Sequence, residues 1–364
     1  RIRAGEPKFY NKATIANSDR ISFDQISNPD LYNNCLSHRM SLLIPSECDF
    51  LDAHSVPHLE SVYQDNLQQA SKENPEQFRW KFETVPGFFK QADPETDDLV
   101  FRYTEENMGR KKPWADIEAE LAKLNETAPE NVCYKLVICA RHGQGYHNYI
   151  VDKYGVDAWN EKWYNLGTDG EVVYGPDPML TDLGIAQAKE NHEAWKREVL
   201  DNGAPIPSKF YVSPLQRLCW TCYYTWDGLR PADKHPIIVE NMRETIGQNL
   251  CDKRSPKHVI ESRFGKFGFI TEPGFAEEDP LFTPKRELED ELCMRINSVC
   301  QNLFEEEWDP ATKSVNKSNA VKNSIISTTT HAGTIRLFIV VLGHRRFTLS
   351  TGGMVPIVVK ATRC

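Results

Sequence analysis

Four short apolar runs along this chain each end at polar residues, and the second and fourth lead directly into a stretch that suits a helix. Runs of this kind are typical of buried β-strands. The predicted strands begin at Lys135, Lys209, Pro236 and Ser324. A fifth run, from Val355 to Lys360, predicts a last strand. Strands that alternate with helices indicate an α/β fold of three layers, α/β/α.

Apolar periodicity predicts the helices between these strands. One helix runs from about Leu180 to about Leu200, with Thr181 or Asp182 as its N-cap. Apolar residues at steps of three and four predict a second helix from about Lys285 to Trp308. Further helical stretches are Trp114 to Leu124 and Thr334 to Leu342.

Candidate chemistry lies where the strands end. Ligands of an open α/β sheet bind just beyond the carboxyl ends of its strands. The residues delivered there are Arg141 with His142, Arg217, Glu244 and His331. Taken singly, each residue type is more often structural, as a core histidine, an ion-pair partner or a helix-start carboxylate. Their occurrence in order, each at a strand end, favours a common site.

These residue types suit phosphoryl transfer. Arg141 and Arg217 can bind phosphoryl oxygens through forked, charge-assisted hydrogen bonds. A neutral His142 can attack phosphorus in line and form a phosphohistidine, and a protonated His331 would add a donor. Glu244 is the candidate proton donor to the leaving group. Cationic neighbours would lower its pKa and burial would raise it, a balance that the sequence leaves open.

The strand ends carry four motifs: Arg141-His142-Gly143, Ser213-Pro214-x-x-Arg217, Arg243-Glu244-x-x-Gly247 and His331-Ala-Gly333. They resemble the motifs of the histidine phosphatase superfamily, whose fold is that of cofactor-dependent phosphoglycerate mutase. The variant Arg-His-Gly-Gln-Gly-Tyr-His-Asn at 141–148, and the segment Val85 to Pro94, resemble the fungal phosphomutase-like phosphatases more closely. The resemblance covers roughly Thr84 to Cys364 and implies the phosphoglycerate mutase-like fold.

Three further segments leave alternatives open. His147 and Asn148 either contact the substrate phosphate or cap the next helix. Segment 248–284 is long for a connection, so it is either a cover over the site or a surface insertion with solvated charges. Residues 1–83 are polar and rich in Asn, Ser and Gln. They predict an N-terminal extension that is partly ordered at best, before a domain over 84–364.

The composition limits the kinds of partner that this protein can bind. The net charge of −9 argues against a nucleic-acid or anionic membrane partner, so a local cluster of Arg and His must attract phosphate. Cys219 and Cys222 could be a redox pair, but their aromatic neighbours favour buried core thiols. We predict no metal site and no cofactor. The first thirty residues lack an apolar signal core, which favours a cytoplasmic or nuclear location and leaves secretion open.

Three classes of function fit these observations. The first is a phosphatase that hydrolyses small phosphorylated metabolites through a phosphohistidine. The second is a phosphomutase, which must exclude water from the same intermediate. The third is a non-catalytic regulatory module on the same fold. The variant at 144–147 and the long cover segment favour the phosphatase, and the presence of all five site residues favours catalysis.

Overall fold

A seven-stranded mixed sheet lies at the centre of the compact unit Ser41–Cys364. The structure is a computed structural model, and it describes residues 40–364. The strands of the sheet are β1 Trp80–Thr84, β2 Val132–Arg141, β3 Lys209–Val212, β4 Pro236–Ile238, β5 Ile270–Thr271, β8 Ile325–Thr330 and β9 Met354–Arg363. A separate hairpin consists of β6 Trp308–Asp309 and β7 Ser314–Val315.

The spatial order of the strands is β1-β9-β2-β8-β3-β4-β5. Strands β2, β8, β3, β4 and β5 run parallel, whereas β9 is antiparallel to both of its neighbours. The carboxyl ends of the parallel strands therefore meet at one edge of the sheet, as the sequence predicts.

Helices surround the sheet. They are α1 Glu47–Ala53, α2 Leu59–Glu73, α3 Trp114–Thr127, α4 Tyr146–Tyr154, α5 Val156–Glu161, α6 Asp182–Leu200, α7 Gln216–Trp226, α8 Lys257–Phe264, α9 Glu289–Glu305, α10 Lys317–Lys322 and α11 Ala332–Val341. Between residues 40 and 364, none of them has the length and apolar character that crossing a membrane requires.

Alternate residues of β2 pack against opposite layers of helices. Val137 and Cys139 belong to an apolar cluster shared with α2, α9 and α11. Ile138 and Ala140 belong to a second cluster, shared with α3, α6 and α7. This alternation follows from the two-residue repeat of a strand and requires a helix layer on each face. The predicted three-layer α/β/α fold is therefore confirmed.

Capping hydrogen bonds set the starts of two predicted helices. Helix α6 begins after Thr181, whose hydroxyl accepts a hydrogen bond from the backbone N–H of Gly184 at 3.1 Å. Thr181, rather than Asp182, is thus the N-cap. Helix α9 is shorter than the predicted span of 285–308, because the Glu291 carboxylate binds the backbone N–H of Leu288 at 2.8 Å and fixes the start there.

The N-terminal boundary differs from the sequence prediction. The part of the predicted extension in residues 1–39 lies outside the described residues, but residues 41–83 belong to the compact unit. Leu59 and Tyr63 of α2 and Trp80 of β1 are each only 2% exposed. A polar helix with two apolar residues four positions apart needs tertiary packing to form, so its composition alone resembles that of an extension.

The segment 248–284 is an ordered part of the fold. Its strand β5 extends the sheet, with Ile270 paired to Ile237 of β4. Its helix α8 buries Ile260 and Phe264 against the second apolar cluster. The segment is therefore more than a solvated surface insertion, and its first residues reach Arg217.

Candidate active site

Strand register brings the two motif histidines together. Arg141 of β2 is paired with Thr330 of β8, and the backbone N–H of His142 donates to the Thr330 carbonyl at 3.1 Å. His142 and His331 each follow one of these paired residues. Their ring centroids therefore lie 5.3 Å apart, in an edge-on arrangement.

The hydrogen bonds of His142 define its tautomer. Its Nδ1 lies 2.7 Å from the carbonyl oxygen of Gly143, which can only accept, so Nδ1 carries the proton and Nε2 keeps its lone pair. The ring is buried, at 3% exposure. Burial, together with Arg217 and Arg141, holds the pKa of His142 well below its ordinary value. His142 is therefore a neutral imidazole with a free nucleophilic nitrogen.

Gly143 is required by a close approach of two backbones. A Cβ atom at this position would lie 2.2 Å from the carbonyl oxygen of Gly184 in α6, well inside van der Waals contact. The glycine of the Arg-His-Gly motif therefore lets the loop after β2 pack directly on α6.

Arg217 and His331 form a second pair. The Arg217 Nη2 donates to His331 Nδ1 at 3.2 Å, and because a guanidinium has no acceptor, Nδ1 must be the acceptor. The Nε2–H of His331 then donates to the Ser213 hydroxyl at 2.8 Å. Burial, followed by Arg217 and His142, lowers the pKa of His331 well below its ordinary value. The structure thus favours a neutral His331 over the protonated donor considered from the sequence.

Each predicted phosphate-binding arginine has a carboxylate partner. Arg141 Nη1 donates to Asp49 of α1 at 2.5 Å and to the carbonyl of Leu349 at 2.6 Å. Arg217 Nη2 donates to Asp252 at 3.0 Å, and its Nη1 donates to the Cys251 carbonyl at 2.9 Å. Sequence reasoning missed both aspartates, because neither stands in a motif.

Each of the two guanidinium groups has one buried N–H that makes no hydrogen bond within the described residues. The Nε atoms of Arg141 and Arg217 are buried and have no hydrogen-bond partner among residues 40–364. Buried donors are nearly always paired in folded proteins, so an unpaired one calls for an explanation. Phosphoryl oxygens bound between the two arginines would pair them.

The surroundings of Glu244 settle the balance that the sequence leaves open. Its carboxylate accepts hydrogen bonds from the backbone N–H groups of Gly333, at 3.1 Å, and Thr245, at 2.9 Å. Burial raises its pKa, and the nearby carboxylates of Asp252 and Asp52 raise it further. The backbone N–H of Thr245 and the cation Arg286 oppose this change, but the net direction of the pKa shift is upward, toward the protonated form that a proton donor needs.

Gly333 makes room for that carboxyl group. A Cβ atom on Gly333 would lie 2.3 Å from Oε1 of Glu244. The third residue of the His-Ala-Gly motif thus brings Glu244 against the start of α11, close to His331.

His147 and Asn148 have different surroundings. Asn148 accepts a hydrogen bond from the backbone N–H of Gly145 at 3.0 Å, so it caps α4, and its contact with the substrate phosphate stays a prediction. His147 lies with its ring centroid 5.4 Å from that of His142. Within the part of the chain that the structure describes, its buried Nδ1 has no partner. The structure therefore brings His147 into the site and leaves Asn148 in its capping role.

Cys219 and Cys222 are free thiols buried on α7. Burial raises the pKa of Cys222 to about 12, and it raises that of Cys219 as well. Both thiols therefore stay protonated and unreactive, which agrees with the prediction that they are buried core thiols and not a redox pair. In residues 40–364, no cluster of His, Cys, Asp or Glu could hold a metal ion.

Three known fungal proteins are similar to most of this chain. "Probable phosphoglycerate mutase" of Arthroderma benhamiae is 33% identical over 299 residues, which are 77% of this chain and 84% of that protein. "Phosphomutase-like protein 3" of Candida albicans is 33% identical over 288 residues, 77% of this chain and 80% of that protein. "Probable phosphoglycerate mutase PMU1" of Saccharomyces cerevisiae is 27% identical and covers 76% and 95%.

The chain therefore belongs to the phosphoglycerate mutase-like proteins of the histidine phosphatase superfamily. No protein-family model matches it. Among solved structures, the ecdysone phosphate phosphatase of Bombix mori with tungstate is 16% identical, covering 56% of this chain and 76% of that one, with a TM-score of 0.35. A mycobacterial glucosyl-3-phosphoglycerate phosphatase is 17% identical and covers 58% and 81%, with a TM-score of 0.30.

Proposed function

We propose that this protein is a phosphatase that hydrolyses small phosphorylated metabolites through a phosphohistidine at His142. One observation carries the proposal. A neutral, buried imidazole whose Nε2 keeps its lone pair lies near two arginines, and the buried Nε–H groups of those arginines have no partner among residues 40–364. This is the combination that attack on a phosphate monoester needs, because the phosphate is negatively charged and repels any anionic nucleophile.

In the first step, the lone pair on His142 Nε2 forms a bond to phosphorus while the bond from phosphorus to the leaving oxygen breaks. The proton on Glu244 moves to that oxygen, so the leaving group departs as a neutral alcohol. Arg141 and Arg217 donate to the phosphoryl oxygens, whose charge is distributed over them in the transition state. A phosphohistidine and an ionised Glu244 result.

In the second step, water attacks phosphorus and gives a proton to Glu244. The nitrogen–phosphorus bond breaks, and its electron pair returns to Nε2 of His142. Phosphate leaves, and both residues regain their starting protonation states. Glu244 can perform both proton transfers because its raised pKa lies closer to that of the groups it serves.

A phosphomutase is the second candidate, and the names of the fungal relatives support it. A mutase returns the phosphoryl group of the same phosphohistidine to another hydroxyl and must keep water away. The Gln144-Gly-Tyr-His147 variant favours hydrolysis. All five predicted catalytic and phosphate-binding residues lie near one edge of the sheet. Their presence favours either enzyme over a non-catalytic module. They are Arg141, His142, Arg217, Glu244 and His331.

The test is a panel of phosphorylated metabolites assayed for released phosphate, with a phosphoglycerate mutase assay in parallel. We expect phosphate release from the wild-type protein and none from His142→Ala. His235→Ala is the matched control, because His235 is an exposed histidine outside the site. Isomerisation without phosphate release would make the chain a mutase, and turnover by His142→Ala would reject the nucleophile.

A further inference from the structure

Asp252 lies at the meeting point of three arginines. It is 3% exposed and belongs to the 3₁₀ turn Leu250–Asp252 of the segment 248–284. One carboxylate oxygen accepts from Arg217 Nη2 at 3.0 Å, and the other accepts from Arg286 Nη1 at 3.0 Å. Its backbone carbonyl accepts from Arg243 Nη2 at 2.6 Å.

The two side-chain bonds lead to opposite parts of the site. Arg217 is on the phosphate side, where it also donates to His331. Arg286 is on the proton-donor side, where the same Nη1 donates to the carbonyls of Thr245 at 2.8 Å and Gly247 at 3.1 Å, directly after Glu244. A single carboxylate therefore connects Arg217 with Arg286, which is bound to the backbone directly after Glu244.

We propose that Asp252 is a positioning residue for the phosphoryl transfer: one oxygen fixes Arg217 against the phosphoryl site, and the other pairs with Arg286 beside Glu244 and offsets its charge. This inference rests on the proposed function. It assigns to the segment 248–284 a part in the chemistry, as the source of the carboxylate that sets both halves of the site.

The effect on Arg217 follows from its hydrogen bonds. Asp252 and the Cys251 carbonyl hold both Nη atoms, and within residues 40–364 the buried Nε–H is the donor that has no partner. The guanidinium is only 1% exposed, so its charge needs a partner nearby. Asp252 thereby fixes the plane of Arg217 before a phosphate binds, which is the preorganisation that transition-state stabilisation requires.

The effect on Glu244 is electrostatic. The charged groups that act on Glu244 from the surrounding elements are Asp252, Asp52, Arg286, Arg336 and Arg141. After burial, Asp252 is the largest influence that raises the pKa of Glu244, whereas Arg286 lowers it. Removing Asp252 would take away the negative charge that raises the pKa and would leave the positive charge of Arg286 without its carboxylate partner. Both changes lower the pKa of the proton donor.

The test is the pH profile of kcat/KM for an alkyl phosphate, whose alkaline limb reports the pKa of the proton donor in the free enzyme. Asp252→Asn should move this limb to lower pH by about 0.5 to 1 unit. Arg286→Gln should move it to higher pH, because it removes the cation that lowers the pKa of Glu244. General damage to the fold is not expected to move the alkaline limb in opposite directions in variants of the two partners of one ion pair.

Two further variants separate position from charge. Asp252→Glu keeps the charge but misplaces Arg217, so the limb should stay in place while inorganic phosphate binds about threefold or more weakly by calorimetry. Asp279→Asn removes the bidentate partner of Arg243 in the same segment, so it should lower thermal stability and leave the limb unmoved. If Asp252→Asn does not fold, Asp252→Glu and Arg286→Gln carry the test.

An unchanged limb in folded Asp252→Asn, or a displacement of Arg286→Gln in the same direction, would overturn the electrostatic role. Unchanged phosphate affinity in Asp252→Glu would overturn the positioning of Arg217. Failure of the proposed function has a different signature, namely a wild-type protein that releases no phosphate. The phosphate-binding measurement still tests the hold on Arg217 in that case.

Discussion

At the residue scale, the protonation states of His142 and Glu244 determine what the site can do. His142 has a pKa well below its ordinary value, so it stays neutral into the acid range. Glu244 has a raised pKa, so it stays protonated above the range of an ordinary carboxyl group. Activity needs the neutral imidazole and the protonated carboxyl group together. The pH profile should therefore be bell-shaped, with an acid limb from His142 below the ordinary histidine range and an alkaline limb from Glu244 above the ordinary range of a carboxyl group.

The motifs allowed the residues of the site to be predicted, but not the partners that tune them. Arg141, His142 and His331 each stand at the end of an apolar run, a local signal that a sequence carries. Asp49 and Asp252 act through contacts with residues 92 and 35 positions away, and nothing in their own neighbourhoods marks them. Protonation states depend on burial, which only the folded chain defines.

The role of Glu244 predicts a dependence on the leaving group. Glu244→Gln should slow phosphoenzyme formation from an alkyl phosphate by about 10²-fold or more, because an alkoxide leaves poorly without a proton. The same variant should have little effect with p-nitrophenyl phosphate, whose phenolate leaves readily. Single-turnover kinetics separates this step from dephosphorylation.

Equal losses on the two substrates would remove Glu244 as the proton donor. Glu240, the nearest alternative in sequence, is already engaged with Arg243 and Arg254. It therefore fits a structural role better than proton transfer.

At the element scale, helix α1 completes the site from a part of the chain that the sequence analysis assigned to an extension. Asp49 uses one oxygen to cap the helix, by accepting from the backbone N–H of Ser46 at 2.7 Å, and the other to bind Arg141. The short helix therefore delivers a carboxylate to a phosphate-binding arginine. A seven-residue helix with no buried side chain gives too weak a periodicity to predict.

Asp49 should weaken phosphate binding, because it neutralises Arg141. Asp49→Asn should therefore bind inorganic phosphate about two- to fivefold more tightly, the scale of an ion pair worth up to about 1 kcal/mol. It should also melt at a lower temperature, since Arg141 is buried and loses its charged partner. Calorimetry and thermal melting measure the two effects.

Asp65→Asn on the exposed face of α2 is the control and should change neither quantity. Unchanged or weaker phosphate binding by Asp49→Asn would show that the carboxylate supports the phosphate site rather than competing for it.

At the scale of the whole molecule, the central sheet was predictable and its edge was not. The runs ending at Arg141 and His331 form neighbouring strands of the sheet, and every residue of β8 is buried although four of its six residues are Ser or Thr. Strand β1 has alternating exposure and only five residues, so its pattern resembles that of a polar segment. It is stabilised by pairing with β9, a contact from the other end of the chain.

The pairing of β1 with β9 predicts where the chain can be shortened without loss of the fold. A protein that begins at residue 84 lacks β1 and α2, so it exposes one edge of β9 and the apolar surface that covers Leu59, Tyr63 and Trp80. We expect it to aggregate, since open strand edges and apolar patches promote association. A protein that begins at Ser41 keeps the compact unit and should remain monodisperse.

Size-exclusion chromatography and thermal melting compare the two chains. If the chain from residue 84 is monodisperse and melts with the chain from Ser41, then residues 41–83 do not stabilise the fold.

Trapping the covalent intermediate tests directly whether His142 is the nucleophile. The wild-type protein is mixed with a radiolabelled phosphate monoester, quenched within milliseconds in alkali, and mapped by mass spectrometry. We predict a phosphoryl group on His142 that is stable in alkali and lost in acid, because a phosphoramidate is labile only when its nitrogen is protonated. Label on another residue, or release of phosphate with no labelled protein at any time point, would contradict His142 as the nucleophile.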